Sequence, residues 1–263
     1  NASDGDDAQV LSGTISYTLG QDAIGSISLS TAGNATGLQT LAGQDVVTTF
    51  SNGTLIGYIS GTNPSVAANQ VFAITLGTLG ASSTGYTMTL FQPVKHAIAG
   101  TEDNTTPFTV NVVVADADGS TANTSFTVSI DDDMPITTND GLLETLSENS
   151  SGVTIGTTAT LLGDDNYGAD GAATTGSLVI GTGDKGGTVT IDVNGNLVYT
   201  NTSQNVGQGE TVSETFTYTI KDADGDTAEA TFTVNLTDTG VTIGAAPANL
   251  LADEDNLAAG VGN

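Results

Sequence analysis

The stretch DADGSTANTSFTVSIDDD begins at Asp116 and returns as DADGDTAEATFTVNLTDT at Asp222, 106 residues later. Both copies run Asp-Ala-Asp-Gly, then Thr-Ala, then Phe-Thr-Val, then an acidic exit. The residues before each copy also correspond, with Val110, Val112 and Val114 answering to Phe216, Tyr218 and Ile220. Apolar residues at every second position have the period of a strand with one buried face. The glycine after the paired aspartates permits a sharp turn between two such strands. Each copy therefore reads as a terminal hairpin, and two terminal hairpins imply two domains. The boundaries fall at 133 and 238, giving units 1–133 and 134–238 and a tail, 239–263. Pro135 suits the point where the chain leaves one sheet for the next.

The same alternation recurs in TISYTL (14–19), YTMTLF (86–91) and FTYTI (216–220), separated by Gly, Asn and Asp clusters. These runs predict an all-β chain of tandem antiparallel β-sandwich domains in a rod. The second unit has the usual size of a sandwich of about seven strands. The first is longer, and its segment 31–85, rich in Gly, Asn, Ser and Thr, reads as a binding loop or a solvated insertion. Asn194-Gly195 predicts a type I′ hairpin. No stretch has a helical period, although Pro64 to Gln70 suits short turns or a helical loop.

Charge sets the chemistry. Thirty Asp and Glu face three Lys or Arg, a formal net charge of −27. Such a chain repels itself on compaction, and its own basic residues are too few to offset this. Nucleic acid is excluded as a partner, since nothing could neutralise phosphates, and an anionic membrane surface is disfavoured for the same reason. No apolar run approaches the ~20 residues of a membrane-spanning helix. The chain is 37% hydrophobic, unlike a disordered acidic polymer. It has no cysteine, so an exported form depends on packing or metal rather than disulfides. The first residues lack a signal peptide and read as the middle of a longer polypeptide. His96 is the single histidine; within QPVKHA it reads as structural rather than as a catalytic base, and the chain is not expected to be an enzyme.

Bound divalent cations are the simplest offset, and Ca²⁺ takes six to eight oxygen ligands, mainly carboxylates and carbonyls. The DxDG turns offer Asp116 and Asp118 in one copy and Asp222, Asp224 and Asp226 in the other. Asp131, Asp132 and Asp133 crowd the first exit and Asp238 marks the second. Neighbouring carboxylates of this density are costly without a cation. Glu148, Asp164 and Asp165 are further candidate ligands, with Asp140 and Glu144 beside them. Acidic clusters at Asp4, Asp6 and Asp7, at Glu102-Asp103 and at Asp253, Glu254 and Asp255 bind ions or are simply solvated.

The stretches VTIDVNGNLVYTN and ETFTYTIKDADGDTAEATFTVNL, with the GDD at 163–165, resemble the cadherin-like and immunoglobulin-like extender repeats of giant type I secreted RTX-type bacterial adhesins. LSGTISYTLGQDAIGSISL, GYTMTLFQPVKHAIAGTEDNT and FTVNVVVADADGSTANTSFTVSIDDDMP resemble a second repeat type of the same proteins. That repeat opens with an acidic segment, whereas here DEDNLAAGVGN lies at 253–263. Joined end to end, the termini read as one continuous opening, so residues 239–263 are expected to begin the next repeat. The resemblance implies a calcium-stabilised, secreted cell-surface extender of a biofilm adhesin. Its partners would be neighbouring repeats of the same polypeptide and, through the tail, identical chains. A calcium-dependent sugar- or peptide-binding module, or a self-assembling extracellular filament or surface-layer unit, is the alternative.

Overall fold

The computed structural model describes residues 10–97, 105–241 and 243–245. Among them sixteen strands form four sheets, and the chain is all-β. The first unit holds β1 (Val10–Ser16), β2 (Ile24–Ser30), β3 (Ala35–Gln39), β4 (Asp45–Ser51), β5 (Thr54–Ile59), β6 (Gln70–Leu76), β7 (Ser83–Leu90), β8 (Phe108–Asp116) and β9 (Thr121–Val128). One sheet has the order β1-β7-β6-β5-β4-β3, the other β2-β8-β9. Leu29, Leu55, Phe72, Ile74, Val110 and Val112 fill the space between them. Every second residue of β8 is buried, as alternation demands.

Segment 31–85 is not a loop. It carries β3 to β6, the start of β7 and two short 3-10 turns, Ala32–Asn34 and Ala67–Asn69. Several of its Gly residues, Gly37, Gly57 and Gly85, lie inside the strands β3, β5 and β7. Asn52 and Gly53, with φ of 51° and 77°, form a two-residue connection closed by the pair Ser51–Thr54. Positive φ at both central positions is the type I′ signature. Asn194-Gly195 differs. Only Gly195 has positive φ, because the Asp192 carboxylate accepts from Asn194 N and Asn196 N, both at 2.8 Å. A carboxylate-capped four-residue turn replaces the expected I′ turn.

The second unit holds β10 (Gly141–Ser147), β11 (Ser151–Thr157), β12 (Leu178–Ile180), β13 (Thr188–Ile191), β14 (Asn196–Thr200), β15 (Thr211–Lys221) and β16 (Thr227–Thr237), with one helical turn α1 (Thr158–Leu161). Sheets β10-β16-β15-β12 and β11-β14-β13 enclose a core of Leu161, Leu197, Tyr199, Tyr218, Phe232 and Leu236. Phe216 and Phe232, directly opposite on β15 and β16, stack with centroids 5.0 Å apart. One ladder departs from antiparallel pairing: β10 runs parallel to β16. The incoming chain is steered there by Asn139, whose side chain accepts from Thr231 N at 2.8 Å.

Among the described residues no sheet joins the two units. In each, the DxDG turn closes one end of the last hairpin and the acidic exit leaves the other. For β15 and β16, eleven residues each, that separation is roughly 35 Å at about 3.4 Å per residue. The exit of the first unit meets the turn of the second, and the carboxylates collect there.

Candidate metal centre

The second DxDG turn is built by its first aspartate. Asp222 Oδ1 accepts from Gly225 N at 3.0 Å and Asp226 N at 2.7 Å, and Gly225, at φ 119°, makes the bend. Asp222 N closes the turn onto Asp226 O. Residues 172–173 run beside Lys221 and Asp222 and bring in Asp170, whose carboxylate groups with those of Asp222 and Asp224, ligand atoms within 4.8 Å of one another.

The first unit supplies the other side. Ile130 N and O are tied to Thr105 Oγ1 and Thr105 N, each at 2.9 Å. This leads the chain into Asp132, which is only 4% exposed. The segment after β7 is pinned by Lys95 N donating to Gln39 O, and it sets His96 against the junction. His96 N approaches Asp224 Oδ2 at 3.4 Å. His96 Nδ1 lies 2.9 Å from Asp132 Oδ1 and 3.7 Å from Asp224 Oδ2. His96, Asp132 and Asp224 thus form a second group, and Asp224 belongs to both.

These carboxylates lack internal compensation. Asp132 Oδ2, Asp170 Oδ2, Asp222 Oδ2 and Asp224 Oδ1 are buried without a hydrogen-bond partner. Among the described residues no lysine pairs with these four; His96 is their one nearby base. Burial, contact with Asp226 and the charge of Asp224 push the Asp132 carboxyl up to about 8. Burial and the charges of Asp224 and Asp222 push Asp170 up to about 7. Burial raises Asp222 to about 6 against the two backbone hydrogen bonds that favour its charged form. Crowded carboxylates with unused oxygens are a donor set suited to a hard, oxygen-seeking cation.

Glu214 in the same unit shows the alternative. It is fully buried, yet Gly187 N at 2.5 Å, Tyr199 OH at 2.6 Å and Asn201 Nδ2 at 3.3 Å all donate to it. A Cβ on Gly187 would lie 2.5 Å from Glu214 Oε2, so only glycine lets the backbone approach. Protein donors satisfy this carboxylate, and it needs no ion.

The remaining predicted ligands are dispersed. Asp131 is exposed at the exit. Asp133 Oδ2 accepts from Ala169 N at 2.5 Å, fastening the exit to the loop that carries Asp170. Asp165 accepts from Thr138 N and from the Tyr218 hydroxyl, both at 2.9 Å. Burial raises Asp140, and the charges of Asp164 and Asp165 add to it. Glu148 and Asp238 stand at the far end of the hairpin. There Glu148 accepts from Val206 N at 2.7 Å and from Thr239, bonds that hold its carboxyl below the usual range. Asp116 and Asp118 group with Asp22 in an exposed turn. Val241 and Ile243 are exposed; the tail beyond 245, the acidic clusters at 4–7 and 253–255, and Glu102-Asp103 lie outside the described residues. Sequence reasoning missed His96, Asp170 and Asp22. His96 stands 128 residues from Asp224 and in the other unit, while Asp170 and Asp22 carry no mark distinguishing them from other acids.

Residues 131–235 match the family described as a bacterial Ig domain. Residues 1–129 match a family described as a domain of unknown function, DUF5801. No curated protein sequence matches the chain. Among solved structures, repeats EC1-2 of human protocadherin-24 align at 12% identity, over 51% of this chain and 67% of that one, with a TM-score of 0.29. Extracellular cadherin domains 3-6 of protocadherin gamma B2 align at 10% identity, over 82% and 50%, with a TM-score of 0.31. The chain spans about half the length of that gamma B2 fragment. Such scores assign no fold by themselves, and the architecture rests on the strands and sheets above. Across its second unit, this chain is similar to bacterial immunoglobulin-like domains.

Proposed function

We propose that this chain is a calcium-stiffened structural extender of a secreted bacterial surface adhesin, of the type I secreted RTX class, serving cell adhesion in biofilms. The observation that carries the reading is the buried group Asp132, Asp170, Asp222 and Asp224 at the joint, each of which keeps one carboxylate oxygen without a hydrogen-bond donor. Ca²⁺ bound there would neutralise the group and tie the exit of one unit to the hairpin of the next. Asp226 and Asp133, at the same joint, complete the acidic surroundings. Asp116 with Asp118, and Glu148 with Asp238, are proposed as further, weaker calcium ligands at the two outer ends; their carboxylates already accept from protein donors, so filling them adds little to stability. The match to a bacterial Ig family over 131–235 supports an array of such domains as the setting, and the −27 charge suits a calcium-rich exterior. The role is mechanical, and neighbouring repeats are its partners.

The test is thermal melting of the metal-stripped chain with and without millimolar calcium. A cation bound only by the folded state at a hundredfold over its Kd adds about 2.7 kcal/mol. For a unit of about 100 residues this raises Tm by about 10 °C or more. Identical melting after thorough chelation would defeat the reading.

A further inference from the structure

The joint contains two groups of different chemistry. Asp170, Asp222 and Asp224 offer oxygen alone, whereas His96, Asp132 and Asp224 include an imidazole nitrogen. We propose that the second group is a separate subsite for a borderline divalent transition-metal ion of the Zn²⁺ class, filled alongside calcium and sharing the carboxylates of Asp132 and Asp224 with it. The inference builds on reading the joint as a cation centre and adds a ligand class that calcium does not use, since Ca²⁺ takes oxygen donors and imidazole suits zinc and its neighbours.

Three observations carry it. His96 Nε2 lies 3.3 Å from Ile130 O, placed to donate its proton there. A ring nitrogen that donates to a backbone carbonyl fixes the tautomer and leaves the other with its lone pair, the usual arrangement of a metal-bound histidine. Nδ1, on a side chain 4% exposed, is buried without a hydrogen-bond partner although Asp132 Oδ1 is 2.9 Å away. The two are close but not aligned for a hydrogen bond, so an N–H at Nδ1 would not satisfy the carboxylate. Finally, the Nδ1 separations of 2.9 and 3.7 Å from the two carboxylate oxygens bracket the ~3.4 Å edge of a tetrahedron with metal–ligand bonds of about 2.1 Å. Three protein ligands leave one position for water, and two of the three, His96 and Asp132, come from the first unit and its exit while Asp224 comes from the second. The ion would be a clasp across the joint.

The sole histidine makes the test direct. The whole chain, stripped of metal and then saturated with calcium at pH 7.5, is titrated with Zn²⁺ while the imidazole nitrogens are followed by long-range proton–nitrogen NMR. We expect the Nδ1 resonance to move to a metal-bound position, complete at one equivalent, with the proton retained on Nε2 and bound calcium undiminished. In His96→Gln, calorimetric zinc affinity should fall by about a hundredfold or more, given that outer-shell partners alone are worth about 10–100-fold. Its calcium-linked melting shift should persist, which reports an intact fold. Imidazole nitrogens no more responsive to zinc than to further calcium, zinc displacing calcium one for one, or unchanged zinc affinity in His96→Gln would each overturn the proposal. A zinc-responsive Nδ1 in a chain whose melting ignores calcium would sink the calcium reading and leave this one standing.

Discussion

The two DADG turns have nearly the same local backbone and very different surroundings. In the first, Asp116 Oδ1 accepts from Gly119 N and Ser120 N at 3.0 and 2.8 Å, as Asp222 Oδ1 does from the equivalent residues 106 positions later. Asp118 then turns back onto Ser120, accepting from both its N and its Oγ. The turn satisfies itself in contact with water, and its hydrogen bonds hold the Asp118 carboxyl below the usual range. In the second, Asp226 replaces Ser120 and the exit of the first unit closes over the turn. Asp224, the counterpart of Asp118, faces His96, whose N approaches one of its oxygens, and other acids, and its Oδ1 meets no donor. Identical turn chemistry thus makes a solvated corner in one place and an uncompensated acidic pocket in the other. Burial, not the motif, decides which turn keeps carboxylate oxygens without donors.

The largest expected difference is in calcium-linked stability. Asp224→Ala should abolish most of the calcium-induced rise in Tm, about 10 °C, whereas Asp118→Ala should leave it intact. Equal losses would mean that both turns bind calcium alike and would break the comparison. Asp192→Ala, which alters a capped turn away from the joint, serves as the control and should behave as Asp118→Ala.

Next in size is the pH response of the metal-free chain. Asp132, Asp170 and Asp222 have folded pKa values raised from 3.8 to about 8, 7 and 6. A raised carboxyl means that the folded state holds the proton more tightly than the unfolded one. Stability is then greatest near pH 4, declines as pH rises toward 8, and levels off above. Below pH 4 the depressed carboxyls of Asp184 and Asp192 act in the opposite sense. Chemical denaturation in EDTA between pH 4 and 8 should show this decline, and saturating calcium should flatten it. A metal-free chain that grows more stable toward pH 8 would contradict the uncompensated pocket.

A smaller effect has opposite signs in the two metal states. Asp224→Asn removes a buried charge while keeping the shape, so it should raise the metal-free melting temperature by a few degrees and lower the calcium-bound one. The smallest effect should come from Asp118→Asn, which keeps an acceptor for Ser120 and should shift neither state measurably. Differential scanning fluorimetry with and without EDTA reads all four combinations.

The hairpins were legible because alternation survives in β8, β15 and β16, each with one buried face. Asp222, Asp224 and Asp132 were legible as candidate ligands because the repeat puts them in register with a second acidic turn and exit. His96 was not, since nothing local to PVKHA tells that the chain after β7 folds back on Ile130. Asp170 was hidden by the abundance of acids around it. Segment 31–85 misled because its many Gly, Asn, Ser and Thr residues read as turns although several lie inside its strands. The two Asn-Gly pairs teach the same lesson. At 52–53 nothing competes with the backbone turn, but at 194–195 the carboxylate of Asp192 captures the amides first.

Each hairpin carries its turn and its acidic exit at opposite ends of one ladder, and this gives the unit a direction. A contact of the turn end of one copy with the exit end of another would be head-to-tail, and such contacts grow into open lines when the rotation between neighbours does not close a ring. Reach would then be set by how many copies the gene encodes rather than by any new surface. A following copy would find Glu148 and Asp238 waiting at the exit end.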